Sequence, residues 1–198
     1  MLKNIIKAPI FIIMLISASF MLGAHGEFKK ELSFPDTYTL DTESLVRNGH
    51  SLRVKRKYGM DFKVYEAALY VKEKTAEPDK LLNFTSPMFL KMEFVRKVES
   101  KLIVKGWKEA HYRNCQKECD LKATKKAFRK FNKSMVDMKK GGTIDIKIMP
   151  NKVHVKVKGR VDKSDVTIED PNFPTNLMAI FVGPKVEDKR LKKGLLGL

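Results

Sequence analysis

Ile144-Asp145-Ile146-Lys147-Ile148, a Pro150-Asn151 turn and Val153-His154-Val155-Lys156-Val157 form the stretch on which the fold turns. On both sides of the turn, aliphatic residues alternate with charged or polar ones without a break. Successive side chains of a strand point to opposite faces, so this is a two-stranded ribbon with one face buried and one in water. Upstream of Gly141-Gly142 the period is different. Leu102, Ile103, Trp107 and Ala110 recur at helical spacing within Lys101–Cys115. Leu121, Ala127, Phe128, Phe131, Met135 and Met138 do the same within Leu121–Met138. Each segment presents one apolar stripe and a Lys-rich opposite face, the pattern of a helix lying on a sheet. Met135 and Met138 fall on that stripe and read as core rather than as cofactor ligands.

Working outward, Phe62–Val71 reads as a long strand, buried on both faces in its apolar second half. Met88–Val98 alternates and reads as another strand, and Glu77–Phe84 as a short helix or loop opened by Pro78. Asn48-Gly49, between the alternating arms of Ser44–Val54, predicts a hairpin turn there. Past the ribbon, Gly159 marks a bend, Val161–Ile168 reads as one more strand, and Pro174-Thr175 opens a last helix over Asn176–Val182. Strands, then two helices, then strands and a helix make an α+β domain with helices packed on an antiparallel sheet. Its expected span is 44–198, behind a polar lead-in at 27–43.

Lys3 and Lys7 precede an uncharged run from Ala8 to Leu22, and Ala24-His25-Gly26 places small residues where a signal peptidase cuts. Residues 1–26 therefore read as a secretory signal peptide cleaved near Gly26. The apolar run is shorter than the ~20 residues a membrane-spanning helix needs. Cleavage leaves one domain of ordinary size. It also lowers the formal charge from +17 to +15, since Lys3 and Lys7 leave with no acid. Lysines are spread over nearly every expected element, so a solvated surface accounts for much of this charge. Few aromatics interleave the basic runs, which argues against nucleic acid as a partner.

Cys115 and Cys119 lie four positions apart, and outside the reducing cytosol a bridge between them is allowed. On one helical turn their Cα atoms would sit ~6 Å apart, near the upper end of disulfide geometry, so a bridge forms more readily where the helix ends. A local staple and two free thiols both stay open. His50, His111 and His154 lack metal-ligand spacing, and no phosphate-cradling glycine loop or nucleophile elbow is present. No metal or cofactor is expected.

Several separated stretches resemble one family. Asn48-Gly49 leads into Leu52-Arg53 and then Lys63-Val64-Tyr65-Glu66-Ala67-Ala68-Leu69-Tyr70. Phe94-Val95-Arg96-Lys97-Val98 runs into the first long helix, and Ala179-Ile180-Phe181-Val182-Gly183 precedes Leu191-Lys192-Lys193-Gly194-Leu195-Leu196-Gly197. In this order they are similar to the exported bacterial branch of the chalcone isomerase-like family. The resemblance implies an open-faced β-sandwich, a large antiparallel sheet covered by helices with a ligand cleft between them. It also implies a periplasmic or secreted location.

In that family the plant enzymes close a chalcone into a flavanone, with an Arg assisting the oxyanion and a Tyr, an Asn and a Thr or Ser around the substrate. Another branch binds fatty acids, the carboxylate held by an Arg and a Tyr. By motif position, Arg53 takes the place of the family Arg. Tyr65 falls where the fatty-acid binders have Tyr and the enzymes Thr, and Lys97 falls near a frequent basic position. The remaining enzyme residues are not matched: Leu102 and Ile103 stand where the helical Tyr and Asn would begin, and Ile180 where Thr or Ser is placed.

The leading expectation is therefore a non-catalytic protein that binds a fatty acid or similar amphipathic carboxylate through Arg53, Tyr65 and Lys97. A guanidinium grips a carboxylate through two parallel hydrogen bonds and, once buried, needs an anion. Two alternatives remain. One is an isomerase or intramolecular lyase, with Arg53 at a developing oxyanion and Tyr58, Tyr65 or Lys97 as proton donor. The other is a basic module docking on an anionic membrane surface or glycan through Lys122–Lys140 and Lys147–Lys158.

Overall fold

Asn48-Gly49 is not a turn. One strand, β2 (Glu43–Lys57), runs straight through it, and the chain reverses at Tyr58-Gly59 into β3 (Met60–Val71). Both turn residues have positive φ, 52° at Tyr58 and 75° at Gly59, the backbone of a two-residue hairpin turn. Asn-Gly suits that conformation better than Tyr-Gly, which is why the sequence points to the wrong dipeptide. Asn48 is instead the extra residue of a bulge, because the register against β3 shifts between Arg47 and Gly49.

The computed structural model describes residues 34–198, so the signal-peptide reading of 1–26 lies outside the described residues. The other strands are β1 (Thr37–Leu40), β4 (Met88–Phe94), β5 (Thr143–Met149), β6 (Lys152–Lys158) and β7 (Lys163–Glu169). They form one sheet in the order β1-β2-β3-β4-β5-β6-β7, and each pair is antiparallel. The lead-in contributes to this sheet: Thr37 pairs with Val46 and Leu40 with Glu43, so the fold begins ahead of residue 44. In the β5–β6 ribbon, Ile144, Ile146, Ile148, Val153, Val155 and Val157 are all buried, as the period of two requires.

The helices are α1 (Pro78–Leu82), α2 (Ser100–Arg113), α3 (Lys122–Lys133), α4 (Phe173–Val182) and α5 (Lys189–Leu195). The apolar stripes of α2 and α3 join α4 and the apolar sheet face in one core. Trp107 stacks on Phe131 at 4.6 Å, and Phe131 lies 5.5 Å from Phe173. Leu102 is exposed, one position off the stripe. α3 stops at Lys133; Met135 and Met138 are buried from the segment that follows, where Met138 bridges Val98. Every residue of α4 is buried, and Asp170 accepts the backbone N–H of Asn172 and Phe173 at its start. A smaller cluster on the opposite sheet face holds Phe34, Leu40, Leu45, Ala68, Tyr70 and Phe89, with Tyr38 stacked on Phe89 at 3.9 Å.

Cys115 and Cys119 are bridged, with Cα atoms 6.1 Å apart. α2 has ended at Arg113, so the bridge closes a loop rather than a helical turn. Two residues before that end, His111 is buried, stacked on Phe128 at 4.1 Å, and its Nδ1 has no partner among the described residues. Burial pushes its pKa below the usual histidine value. The folded state thus holds neutral imidazole, while the unfolded chain takes up a proton first on acidification. Its stabilising effect is complete above pH about 6.5 and is lost as pH falls through the lower folded value. Replacing His111 by Phe, which keeps the stack, is expected to flatten the decline in unfolding free energy as pH falls below about 6.5. An unchanged slope in denaturant titrations would exclude His111 as its source.

Candidate functional site

Arg53 and Tyr65 are direct cross-strand partners on β2 and β3, so the two side chains emerge on the same face of the sheet. Tyr65 continues that row to Phe94 on β4, and the two rings lie 5.4 Å apart. Arg53 is held on its other side by the chain terminus. Its Nη1 donates to Asp188 Oδ2 at 2.9 Å, and its Nη2 to Glu187 Oε2 at 2.9 Å. The Arg53 side chain is 16% exposed and that of Asp188 only 7%, whereas Glu187 is 48% exposed. The anion that a buried arginine requires is thus present within the chain.

The two carboxylates differ in kind. Asp188 is the N-cap of α5: its Oδ1 accepts the N–H of Arg190 and Leu191, and its Oδ2 accepts the N–H of Val54 besides Arg53. Burial pushes its carboxyl upward, but the Leu191 N–H, the Arg53 guanidinium and the Val54 N–H hold it below the usual carboxylate range. Glu187 stands in the link between α4 and α5 and meets cations only. Besides Arg53, it has Arg113 Nη2 at 3.8 Å and Lys55 Nζ at 4.0 Å.

Tyr65 is pushed up to about 12 by burial, with the nearby Arg53 lowering it and Asp188 raising it. Its hydroxyl therefore keeps its proton throughout the physiological range and serves as a hydrogen-bond donor. The hydrogen bonds of Arg53 run to Asp188, Glu187 and the Val54 carbonyl oxygen, not to that hydroxyl. For Arg53 burial alone would lower the pKa, but Tyr65, Asp188 and Glu187 outweigh it and raise it.

The other expected residues lie elsewhere. Lys97 is exposed in the connection from β4 to α2 and joins none of the ion pairs of Arg53. Tyr58 is 82% exposed at the hairpin tip. Buried side chains, among them Tyr65, Met92, Phe94, Ile103, Trp107 and Phe131, fill the layer between sheet and helices where a ligand cleft is expected. A surface depression of about 460 Å³ lies along α2 at Lys101, Val104, Lys105, Lys108, Glu109 and Tyr112, and includes neither Arg53 nor Tyr65.

The position of α5 depends on Asn48 and Gly49. Asn48 is buried; its Nδ2 donates to Thr75 O at 3.0 Å and Leu195 O at 2.7 Å, and its Oδ1 accepts the Thr75 N–H at 2.7 Å. Gly49 lies directly against the backbone of residues 194–197, and Gly194 directly against Ser51. These contacts seat α5 along β2 and so bring Asp188 to Arg53. Sequence reasoning missed Glu187, Asp188, Lys55 and Arg113. A signal existed for one of them: Asp188 immediately precedes Lys189-Arg190-Leu191, the position of a helix N-cap.

The solved structures include a relative of this architecture, a fatty-acid binding protein of Arabidopsis thaliana. It superposes with a TM-score of 0.63 over 82% of this chain and 90% of that one, at 16% sequence identity. At that identity the likeness is one of fold. Among curated proteins no sequence relative matches. A family model described as chalcone isomerase-like matches residues 27–197. That match covers nearly all of the sheet and helices described above, including the Arg53–Tyr65 row and α5, and the chain belongs to the chalcone isomerase-like family.

Proposed function

We propose that this protein is a non-catalytic carrier or sensor that binds a fatty acid or similar amphipathic carboxylate, with its head group on Arg53 and Tyr65. One observation carries the reading: Arg53 already grips carboxylate oxygens through both terminal nitrogens, beside the protonated hydroxyl of its strand partner Tyr65. A guanidinium fork and a phenolic donor on adjacent strands form a carboxylate site, and a tail would enter by parting the apolar side chains packed beneath. The fold shared with a fatty-acid binding protein supports the same class of ligand. An isomerase is served less well. A hydroxyl at about 12 is a reluctant proton donor or acceptor near neutrality, and Tyr58 and Lys97 are exposed away from the Arg53 ion pairs.

The setting proposed for this binding is outside the cytosol, after removal of residues 1–26. The Cys115–Cys119 bridge supports it, since such bonds persist in oxidising compartments. Native mass spectrometry and lipid extraction of protein purified from its own envelope test both parts. The expected result is a mature chain starting near Glu27 with a co-purifying fatty acid. Tyr65→Phe, which keeps the buried ring, is expected to weaken a fluorescent fatty acid about tenfold, the worth of one hydrogen bond to a charged group. Protein that is empty on extraction and does not bind the probe would overturn the reading.

A further inference from the structure

We propose that Glu187 is a built-in occupant of an anion cradle formed by Arg53, Lys55 and Arg113, and that a ligand carboxylate binds by taking its place. This rests on the carboxylate-binding reading above and adds to it the head-group residues and the competitor.

Asp188 is fixed. It is nearly buried, its two oxygens accept four donors, and it starts α5. Glu187 is held by one charge-assisted hydrogen bond, from Arg53 at 2.9 Å, and by the charges of Arg113 at 3.8 Å and Lys55 at 4.0 Å, with its side chain half in solvent. Ion pairs of that exposure are weak, because water and salt screen them and ordering the long side chains offsets the attraction. Glu187 can therefore turn outward at little cost, whereas Asp188 cannot.

The charge count fits a monocarboxylate. Arg53, Lys55 and Arg113 face Glu187 and Asp188, a net charge of +1 for the cluster. With Glu187 turned out, three cations face Asp188 alone, and one incoming carboxylate restores the original balance. The cations come from two elements, β2 and the end of α2, so the anion they share lies between the sheet edge and the helix layer. Tyr65, the strand partner of Arg53, stands on the core side of this position. An anion in the place of the Glu187 carboxylate thus has donors around its head and apolar side chains inward.

The test is binding of a fluorescent fatty acid, and of its uncharged methyl ester, to the native protein and to Glu187→Gln, Lys55→Gln and Arg113→Gln. All three positions are more than a third exposed, so the variants should melt like the native protein. Glu187→Gln is expected to bind the acid two- to fivefold more tightly, and the two cation variants two- to fivefold more weakly, with the ester unaffected throughout. Native binding unchanged by all three substitutions would overturn the cradle and leave the carboxylate reading in place. An equal gain for acid and ester would also overturn it, because a displaced anion is then not what matters. Failure of both native protein and Glu187→Gln to bind the acid would overturn the two proposals together.

Discussion

Gly49→Ala is expected to lower the unfolding free energy by roughly 3 kcal/mol and the melting midpoint by about 10 °C. A Cβ at Gly49 would lie 2.0 Å from the carbonyl oxygen of Gly194 and 2.8 Å from the Gly197 nitrogen and the Leu195 carbonyl carbon. All three are backbone atoms, so no side chain can rotate out of the way, and α5 must lift off β2. Lifting it withdraws Leu191, Leu195 and Leu196 from the core and takes from the buried Asn48 amide its acceptor at Leu195. Gly194→Ala makes the reciprocal clash, with a new Cβ 2.4 Å from Ser51 Cβ. Gly106→Ala gives a control of opposite sign. That position is inside α2 with open space around it, and alanine there should stabilise by about 0.5–1 kcal/mol through helix propensity. Thermal unfolding of the three variants decides the matter, and a Gly49→Ala protein as stable as the parent would refute the packing account.

Removing the Asp188 carboxylate should have a comparable effect by another route. Asp188→Ala leaves Arg53, 16% exposed, with the Val54 carbonyl oxygen and the solvent-facing Glu187 as its partners among the described residues. It also strips the first turn of α5 of its cap and the Val54 N–H of its acceptor. Breaking a buried pair by deleting one partner costs about 3–5 kcal/mol, most of it the penalty of the abandoned charge. The pH dependence identifies the cause. Asp188 is held below the usual carboxylate range, so its contribution is complete above pH about 4 and lost as pH falls through its lower folded value. The parent should therefore show an acid limb in its stability profile that is shallower in Asp188→Asn. Equal limbs would mean that Asp188 does not carry the linkage.

The parts of the fold legible in the sequence are those governed by period. The β5–β6 ribbon and the stripes of α2 and α3 announce themselves because one face of each is buried and the other wet. What was not legible depended on distant contacts. Asn48-Gly49 carries the local chemistry of a turn, yet Asn48 is consumed by hydrogen bonds to Thr75 and Leu195, and Gly49 by the approach of Gly194. Those partners lie far along the chain, and no local rule can see them. The candidate site divides the same way. Arg53 and Tyr65 could be named from their motif positions, but Glu187, Asp188 and Arg113 are brought in by α5 and α2 from separate parts of the sequence.

The meander also sets an order of assembly. Every strand pairs with its neighbour in sequence, and most pairings close short loops, the connection from β4 to β5 through α2 and α3 being the long one. The docking of α5 reaches farther still, for its bonds to β2 span 139 positions at Ser51–Arg190 and 147 at Asn48–Leu195. Its closure over so much chain makes it a clasp, a contact expected to form after the local strand pairings. Because the clasp begins at Asp188, its opening also withdraws the internal carboxylates from Arg53. The seam that closes the molecule and the segment that supplies carboxylates to Arg53 are then the same piece of chain.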